Sequence, residues 1–370
     1  MSSDPPIPEN GATESRNGAA SKGVASDGTA SSDTGAASSD TASSASSDTA
    51  PLATVVVVPR ERFSLSDRSL ESILENTDGP FDLVYVDGNA PKNIRSYVEG
   101  KSRTRGFRVL HSDHYLSPNQ ARNLGTRQVE TKYVVFVDND LFVTPGWLKA
   151  LVDCAEETGA WAVGPLYFQG DPADRIIHLA QGWIEMTGEA PHRKFSTNQS
   201  FQGVCVDDVP QELKREPCHY AEFHCMLLRA DVFDKVGPLD EELMNTREHI
   251  DICMRIREAG GEVYFEPSSR VTYSTPPPFA LSDVPFYWLR WSEDWGRRSM
   301  SRFCEKYGID SDYAERVHKM GGRRQRVFAP VRKVVKRSLG KKADTAVGLA
   351  LAKVEPKVNR LVVKALSRTA

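Results

Sequence analysis

Between residues 53 and 165 the chain alternates short apolar runs with longer helix-patterned stretches, and that alternation leaves few folds open. The apolar runs are Thr54–Val58, Leu83–Val86, Arg108–Leu110, Tyr133–Val137 and Trp161–Val163. Helical patterns fill the gaps at about 66–76, 91–99, 118–130 and 146–158. This spacing predicts βαβ units, and with them an α/β protein built on a mainly parallel sheet flanked by helices. Ser117 and Pro118 mark one helix start, as N-cap and first helical residue. Over about 166–220 the pattern stops, and the stretch reads as irregular. Regular elements return at Cys225–Leu228, near 230–235, and in a helix from about 248 to 259 that ends at Gly260-Gly261.

Open α/β sheets take their ligands at the C-terminal ends of their strands. The run Tyr133–Val137 leads there into Asp138-Asn139-Asp140. Carboxylates so placed can hold a hard divalent cation, and the same residue types also build ordinary turns. Two other strands end in Val58-Pro59-Arg60 and in Val86-Asp87-Gly88. If neighbouring strands end together, Asp87 and Asp140 share a crevice. Arg122 and Asn123 lie one turn into the helix after Ser117, facing either that crevice or solvent. Glu248-His249-Ile250-Asp251 opens the last helix, where acids favour the positive end of the helix dipole.

Charge is unevenly spread. Residues 1–50 are mostly Ser, Ala, Gly, Thr and Asp, with two basic and seven acidic side chains. Such a segment buries too little apolar surface to order itself. The last fifty residues carry fourteen basic and two acidic side chains, so the stretch between is acidic. No run has the apolar core of a secretory signal or the length to span a bilayer. The six cysteines therefore read as reduced, in a cytoplasmic protein. Cys218-His219 and His224-Cys225 match no common zinc spacing, and read as core.

Together, from about Ala53 to Thr275, these pieces resemble an inverting family 2 glycosyltransferase. The resemblance rests on Thr54-Val55-Val56-Val57-Val58-Pro59, Val86-Asp87-Gly88-Asn89, the helix start Asn119–Gly125, and Phe136–Asp140, which is similar to a metal-binding DxD. It continues through Phe223–Leu228, Val232–Glu241 and Glu248–Gly260. It implies a GT-A (Rossmann-like) fold over 53–310, between a disordered tail (1–52) and a basic helical extension (311–370). It also implies a donor site of Pro59, Arg60, Asp87, Arg122, Asn123, Asp138 and Asn139. Mn2+ or Mg2+ would sit on Asp140 and Asp138. The family's Glu-Asp-x-Asp helix motif has His249 at its second position here. Glu248 becomes the first candidate for catalytic base and Asp251 the second, with His249 able to act as base or ligand. The family's histidine after the next strand is missing from Val271–Ser274.

The expected reaction moves a sugar from a nucleotide sugar to a hydroxyl of a carbohydrate or lipid-linked acceptor. The stretch 166–220, with Trp161, Trp183 and His192 in or near it, is the candidate acceptor surface. Two other classes fit parts of the pattern: a sugar-nucleotide nucleotidyltransferase, which lacks its Gly-rich loop here, and a catalytically impaired carbohydrate-binding descendant, suggested by His249. Residues 331–370 combine apolar and basic residues at helical spacing, split at Pro356 into two helices. That pattern suits an anionic surface on the inner face of a membrane, or packing on the catalytic domain. The acidic body argues against nucleic acid.

Overall fold

The computed structural model describes residues 50–275, 279–317 and 320–366. The expected disordered tail lies almost wholly outside them, as does Arg368. Strand β1 (Ala53–Val58) is buried at all six positions, as a strand covered on both faces must be. It is joined in parallel by β2 (Asp82–Gly88), β3 (Arg108–Ser112) and β4 (Tyr133–Asp138), in the order β3-β2-β1-β4. The crossovers are α1 (Ser66–Asn76), α2 (Lys92–Arg105) and α3 (Pro118–Thr126). Helix α3 opens on a capping box, in which the Ser117 side chain accepts from Gln120 N and the Gln120 side chain accepts from Ser117 N. A Cβ on Gly125 would stand 2.3 Å from Val56 Cγ1, so α3 lies directly against β1.

Beyond β4 come β5 (Leu141–Val143), α4 (Trp147–Thr158), β6 (Ala162–Gln169) and β7 (Ile176–Leu179). A separate ribbon follows, β8 (Gly182–Thr187) with β9 (Lys194–Gln199). The main sheet is completed by β10 (Glu216–Cys218), β11 (Cys225–Arg229) and β12 (Val263–Tyr273), in the order β10-β12-β6-β11-β4-β1-β2-β3. Strand β11 runs antiparallel to both β4 and β6, which makes the sheet mixed. Helices α5 (Val232–Val236) and α6 (Glu248–Glu258) lie between β11 and β12. The stretch 166–220 thus holds the end of β6 and four further strands, and the reading of it as irregular is corrected. In β8 only Gly182 and Ile184 turn inward, so the ribbon lacks the apolar run that marks a core strand.

The C-terminal part comprises α7 (Val284–Arg290), α8 (Glu293–Tyr307), α9 (Ser311–Val317), α10 (Met320–Arg324) and α11 (Ala329–Leu366). The break in α11 falls at Gly340 (φ 82°, ψ 175°), and not at Pro356, through which the helix continues. A proline removes one helical hydrogen bond, and here the residues around it are anchored. Glu355 receives Arg324 in a two-pronged pair at 2.5 and 3.1 Å, with both side chains fully buried. One turn on, Asn359 Nδ2 donates to Trp288 O at 3.0 Å. Val362, Val327 and Phe328 pack on Tyr287, Trp288 and Trp291. The face of α11 carrying Glu355, Asn359 and Val362 is therefore docked on α7 and α10.

Removing one partner of a buried ion pair costs about 3–5 kcal/mol. Glu355→Gln is expected to lower the thermal midpoint and to speed proteolysis within 329–366. An unchanged midpoint together with unchanged cleavage would show that the pair does not hold this helix.

Candidate functional site

The C-terminal edge of β1 and β4 opens into a cavity of about 440 Å³. Its wall takes residues from every neighbouring element: Arg60 and Glu61 after β1, Gln169 at the end of β6, His178 on β7, Glu222 to His224 before β11, and Tyr273 on β12. Asn245 to His249 enter with α6. Trp291, Arg323 and Arg326 close it from the C-terminal part, so residues after 311 help to build the site. Arg247, at the N-cap of α6, adopts the left-handed region (φ 69°). A non-glycine residue held so costs of order 1 kcal/mol or more, and such strain gathers at functional sites.

Arg60 is the junction. Its Nη1 donates to Glu248 Oε1 at 3.1 Å, and its Nε lies 3.3 Å from Asp138 Oδ2. Its backbone N donates to Asn139 Oδ1 at 2.9 Å. Arg290, fully buried, lies 3.7 Å from Glu248 Oε1. Burial alone would raise Glu248, but Arg60 and Arg290 hold it down at about 2. Glu248 is thus ionised, and its Oε2 has no hydrogen-bond partner. Burial lowers Arg290 to about 10.

The acidic triplet splits into three roles. Asp138 is bound by Arg60, by Arg122 Nη2 at 3.3 Å and by His224 Nδ1 at 2.8 Å. Asn139 turns its amide to Ser66 Oγ at 2.8 Å and so pins the loop after β1. Asp140 is fully buried, and neither carboxylate oxygen has a hydrogen-bond partner. Burial pushes it up to about 7, while Arg62, at 3.6 Å, pulls against the shift. Buried polar atoms are normally satisfied, so orphaned oxygens on a strand-end carboxylate suit a hard cation.

Several expected site residues are placed elsewhere. Asp251 does not line the cavity; it is held by Tyr307 Oη at 2.7 Å, Lys306 Nζ at 2.6 Å and Arg255 Nε at 3.0 Å. Only one side of α6 faces the crevice, and Glu248 and His249 occupy it. Asn123 binds Leu239 O and Leu239 N and so fixes the loop before α6. Arg122 lies beneath Asp138, over the Phe223 ring at 4.1 Å. Asp87 shares the sheet edge but is satisfied by Ala90 N, Arg95 and His111. Pro59 packs against Gly88. Trp161 packs on Gly261. Trp183 lines a different hollow with His219 and Arg257, and His192 is not in the cavity wall, to which β9 gives Thr197 and Gln199 instead. Cys218 and Cys225 are free, buried core thiols.

Sequence reasoning missed Glu61, His178, Glu222, His224, Tyr273, Arg290 and Trp291. The alternation Glu222-Phe223-His224 before a strand was a usable signal, since it sends both polar side chains to one side. Nothing local marked Arg290 or Trp291, which reach the site only through the packing of α7.

His249 lines the cavity beside Tyr220. Burial pushes its imidazole down to about 4, against Glu222 and Glu248, with Arg247 and Arg60 adding to the fall. Neutral imidazole is therefore the resting form. The unfolded chain takes up its proton near 6.5, ahead of the folded one, so stability is full above that pH and falls as pH drops toward 4. The loss assigned to this residue is up to about 3 kcal/mol. Urea unfolding of wild type and His249→Gln between pH 7 and 4.5 is expected to show a shallower acid loss in the variant. Parallel curves would contradict it.

The sequence matches the family model "Glycosyl transferase family 2" over residues 54–237. It is 28% identical over 221 residues to a pre-mycofactocin glycosyltransferase of Mycobacterium tuberculosis, covering 60% of this chain and 42% of that protein. It is 26% identical over 242 residues to an uncharacterized protein, y4gI, of Sinorhizobium fredii, covering 64% of this chain and 26% of that one. The chain spans less than half the length of these curated relatives. Among solved structures it is similar to GalNAc-T7 with UDP, GalNAc and Mn2+, at 15% identity and a TM-score of 0.49, over 79% of this chain and 58% of that chain.

Proposed function

The chain belongs to glycosyltransferase family 2 and is a glycosyltransferase, and we propose that it is a metal-dependent, inverting one that transfers a sugar from a nucleotide sugar to a glycan or lipid-linked hydroxyl. The observation that carries this reading is Glu248, an ionised carboxylate on the cavity wall with one oxygen unpartnered. That oxygen accepts the proton of the attacking hydroxyl. A single displacement needs only this one base, which gives inversion. Arg60, Arg247, Arg323 and Arg326 make the wall cationic and suit it to a diphosphate. A carboxylate at about 2 is a weak base. A bound diphosphate competes for Arg60, loosens its hold on Glu248, and raises the basicity of Glu248 as the donor arrives.

Asp140 is the metal ligand in this reading, because Asp138 is already taken by Arg60, Arg122 and His224. A divalent ion there would offset the charge that builds on the leaving diphosphate. Asp138 acts through Arg60 and positions it. Asp251 holds α6 to α8 and is not the base.

Glu248→Gln keeps the shape and cannot take the proton. Turnover is expected to fall by ~10²–10⁴-fold with donor affinity nearly unchanged. Asp140→Asn is expected to lose metal-dependent donor binding as well as turnover. Near-normal turnover in either variant overturns the role given to that residue.

A second reading concerns the outer side of α11. Leu349 (62% exposed), Val354 (55%) and Leu361 (70%) face solvent there, beside exposed Lys353, Lys357, Arg360 and Lys364. No described helix is long and apolar enough to cross a membrane. A surface contact with an anionic bilayer suits this mixture, at about 1 kcal/mol for each basic residue near the surface. Co-sedimentation with phosphatidylserine vesicles is expected to weaken with salt and to be lost when the four basic residues become Glu. Equal sedimentation of both proteins would exclude the contact.

A further inference from the structure

Three side chains of the cavity wall form a group that the transfer reaction leaves unused. His178 Nε2 lies 3.0 Å from Glu222 Oε2, and His224 Nε2 lies 3.3 Å from the same oxygen. One potential ligand atom from each of the three residues falls within 4.8 Å of the others. The far nitrogens are also engaged. His224 Nδ1 faces Asp138 Oδ2 at 2.8 Å, and His178 Nδ1 faces Gln169 Oε1 at 3.2 Å. Both of those partners are oxygens that accept, so each Nδ1 carries the proton and donates it. Each ring then turns its Nε2 toward the same carboxylate oxygen of Glu222, where a neutral imidazole carries its lone pair. Two imidazole nitrogens and a carboxylate oxygen converging in this way make a ligand set for a cation.

We infer that His178, Glu222 and His224 form a divalent transition-metal site in the cavity wall, separate from Asp140 and suited to an ion of the Zn2+ or Co2+ kind. Bonds of about 2.0–2.1 Å in tetrahedral geometry set neighbouring ligand atoms roughly 3.3 Å apart. The two nitrogen-to-oxygen separations already lie close to that. Two imidazoles and a carboxylate form a mixed set that such ions favour over Mg2+ or Ca2+. Asp138 and Gln169 are in the positions that outer partners of metal-bound histidines take, where they fix ring orientation and tautomer. Tyr273 stacks on His224 at 4.2 Å and limits the ring further. His224 is 5% exposed, and the side chains of His178 and Glu222 are 17% and 13% exposed. Three protein ligands leave a fourth position, open to the cavity, for water or a substrate oxygen.

The site follows from these residues and not from the transfer reaction. Metal-stripped full-length protein is titrated with Co2+, read by visible absorption, and with Zn2+, read by calorimetry and by thermal midpoint. Wild type is expected to bind one ion with the visible bands of tetrahedral Co2+, and to melt higher with Zn2+. His178→Ala and Glu222→Gln are expected to lose both effects. Gln169→Ala, which touches no ligand atom, is expected to weaken binding by ~10–100-fold. Asp140→Asn is expected to keep the Co2+ spectrum. Absence of tight binding in wild type would overturn the site. So would a signal that survives in His178→Ala and Glu222→Gln, or one lost only in Asp140→Asn. Donor hydrolysis, measured apart, reports on the transferase reading alone.

Discussion

Arg60 bridges Asp138, the last residue of the central strand β4, and Glu248, the first residue of α6. Two buried carboxylates from elements far apart in sequence would repel each other and cost desolvation if left alone. One guanidinium between them, supplied by the loop after β1, turns that repulsion into a fixed spacing. Asn139 secures the arrangement by accepting from Arg60 N and donating to Ser66. The sheet edge, the loop after β1 and the start of α6 are thereby set as one unit. The cost appears in the chemistry: Glu248 is held ionised but weakly basic.

The mixed sheet explains why the cavity is walled on so many sides. Parallel strands β1 and β4 bring their C-terminal ends to one edge, and antiparallel β11 brings its N-terminal end to the same edge. Residues just after β1 and β4 therefore meet residues just before β11. That is how Arg60 and His224 both come within hydrogen-bond range of Asp138. The C-terminal helices cover the side this geometry leaves open. Trp291 is buried against the Arg323 guanidinium at 4.1 Å, and α11 holds that region through Glu355 and Asn359.

The parallel core was legible because its strands are continuous apolar runs with helices between them. The sheet edge was legible too, since strand ends carry the polar residues Arg60, Asp138 and Asp140. What one sequence could not give was the direction of each polar side chain once folded. Asn123, Asn139 and Asp251 sit in motif positions, yet their hydrogen bonds go to nearby loops and helices. The ribbon β8–β9 escaped because Trp183 and Met186 are exposed while Gly182 turns inward, which breaks the apolar–polar alternation of a half-buried strand. The helix stays unbroken at Pro356 because Glu355 and Asn359 dock it there, which outweighed local propensity, and it breaks at Gly340, where glycine takes a positive φ freely.

The cavity around Arg60 and Glu248 is proposed to cleave a nucleotide sugar. The direct measurement is release of nucleoside diphosphate from a panel of nucleotide sugars by purified full-length protein, with Mn2+ or Mg2+ and with chelator, beside Arg60→Gln. At least one donor is expected to be turned over by the wild type in an ion-dependent way, and that release is expected to be lost in Arg60→Gln. Binding of glycans without release of nucleoside diphosphate from any donor, with or without the ion, would contradict the account.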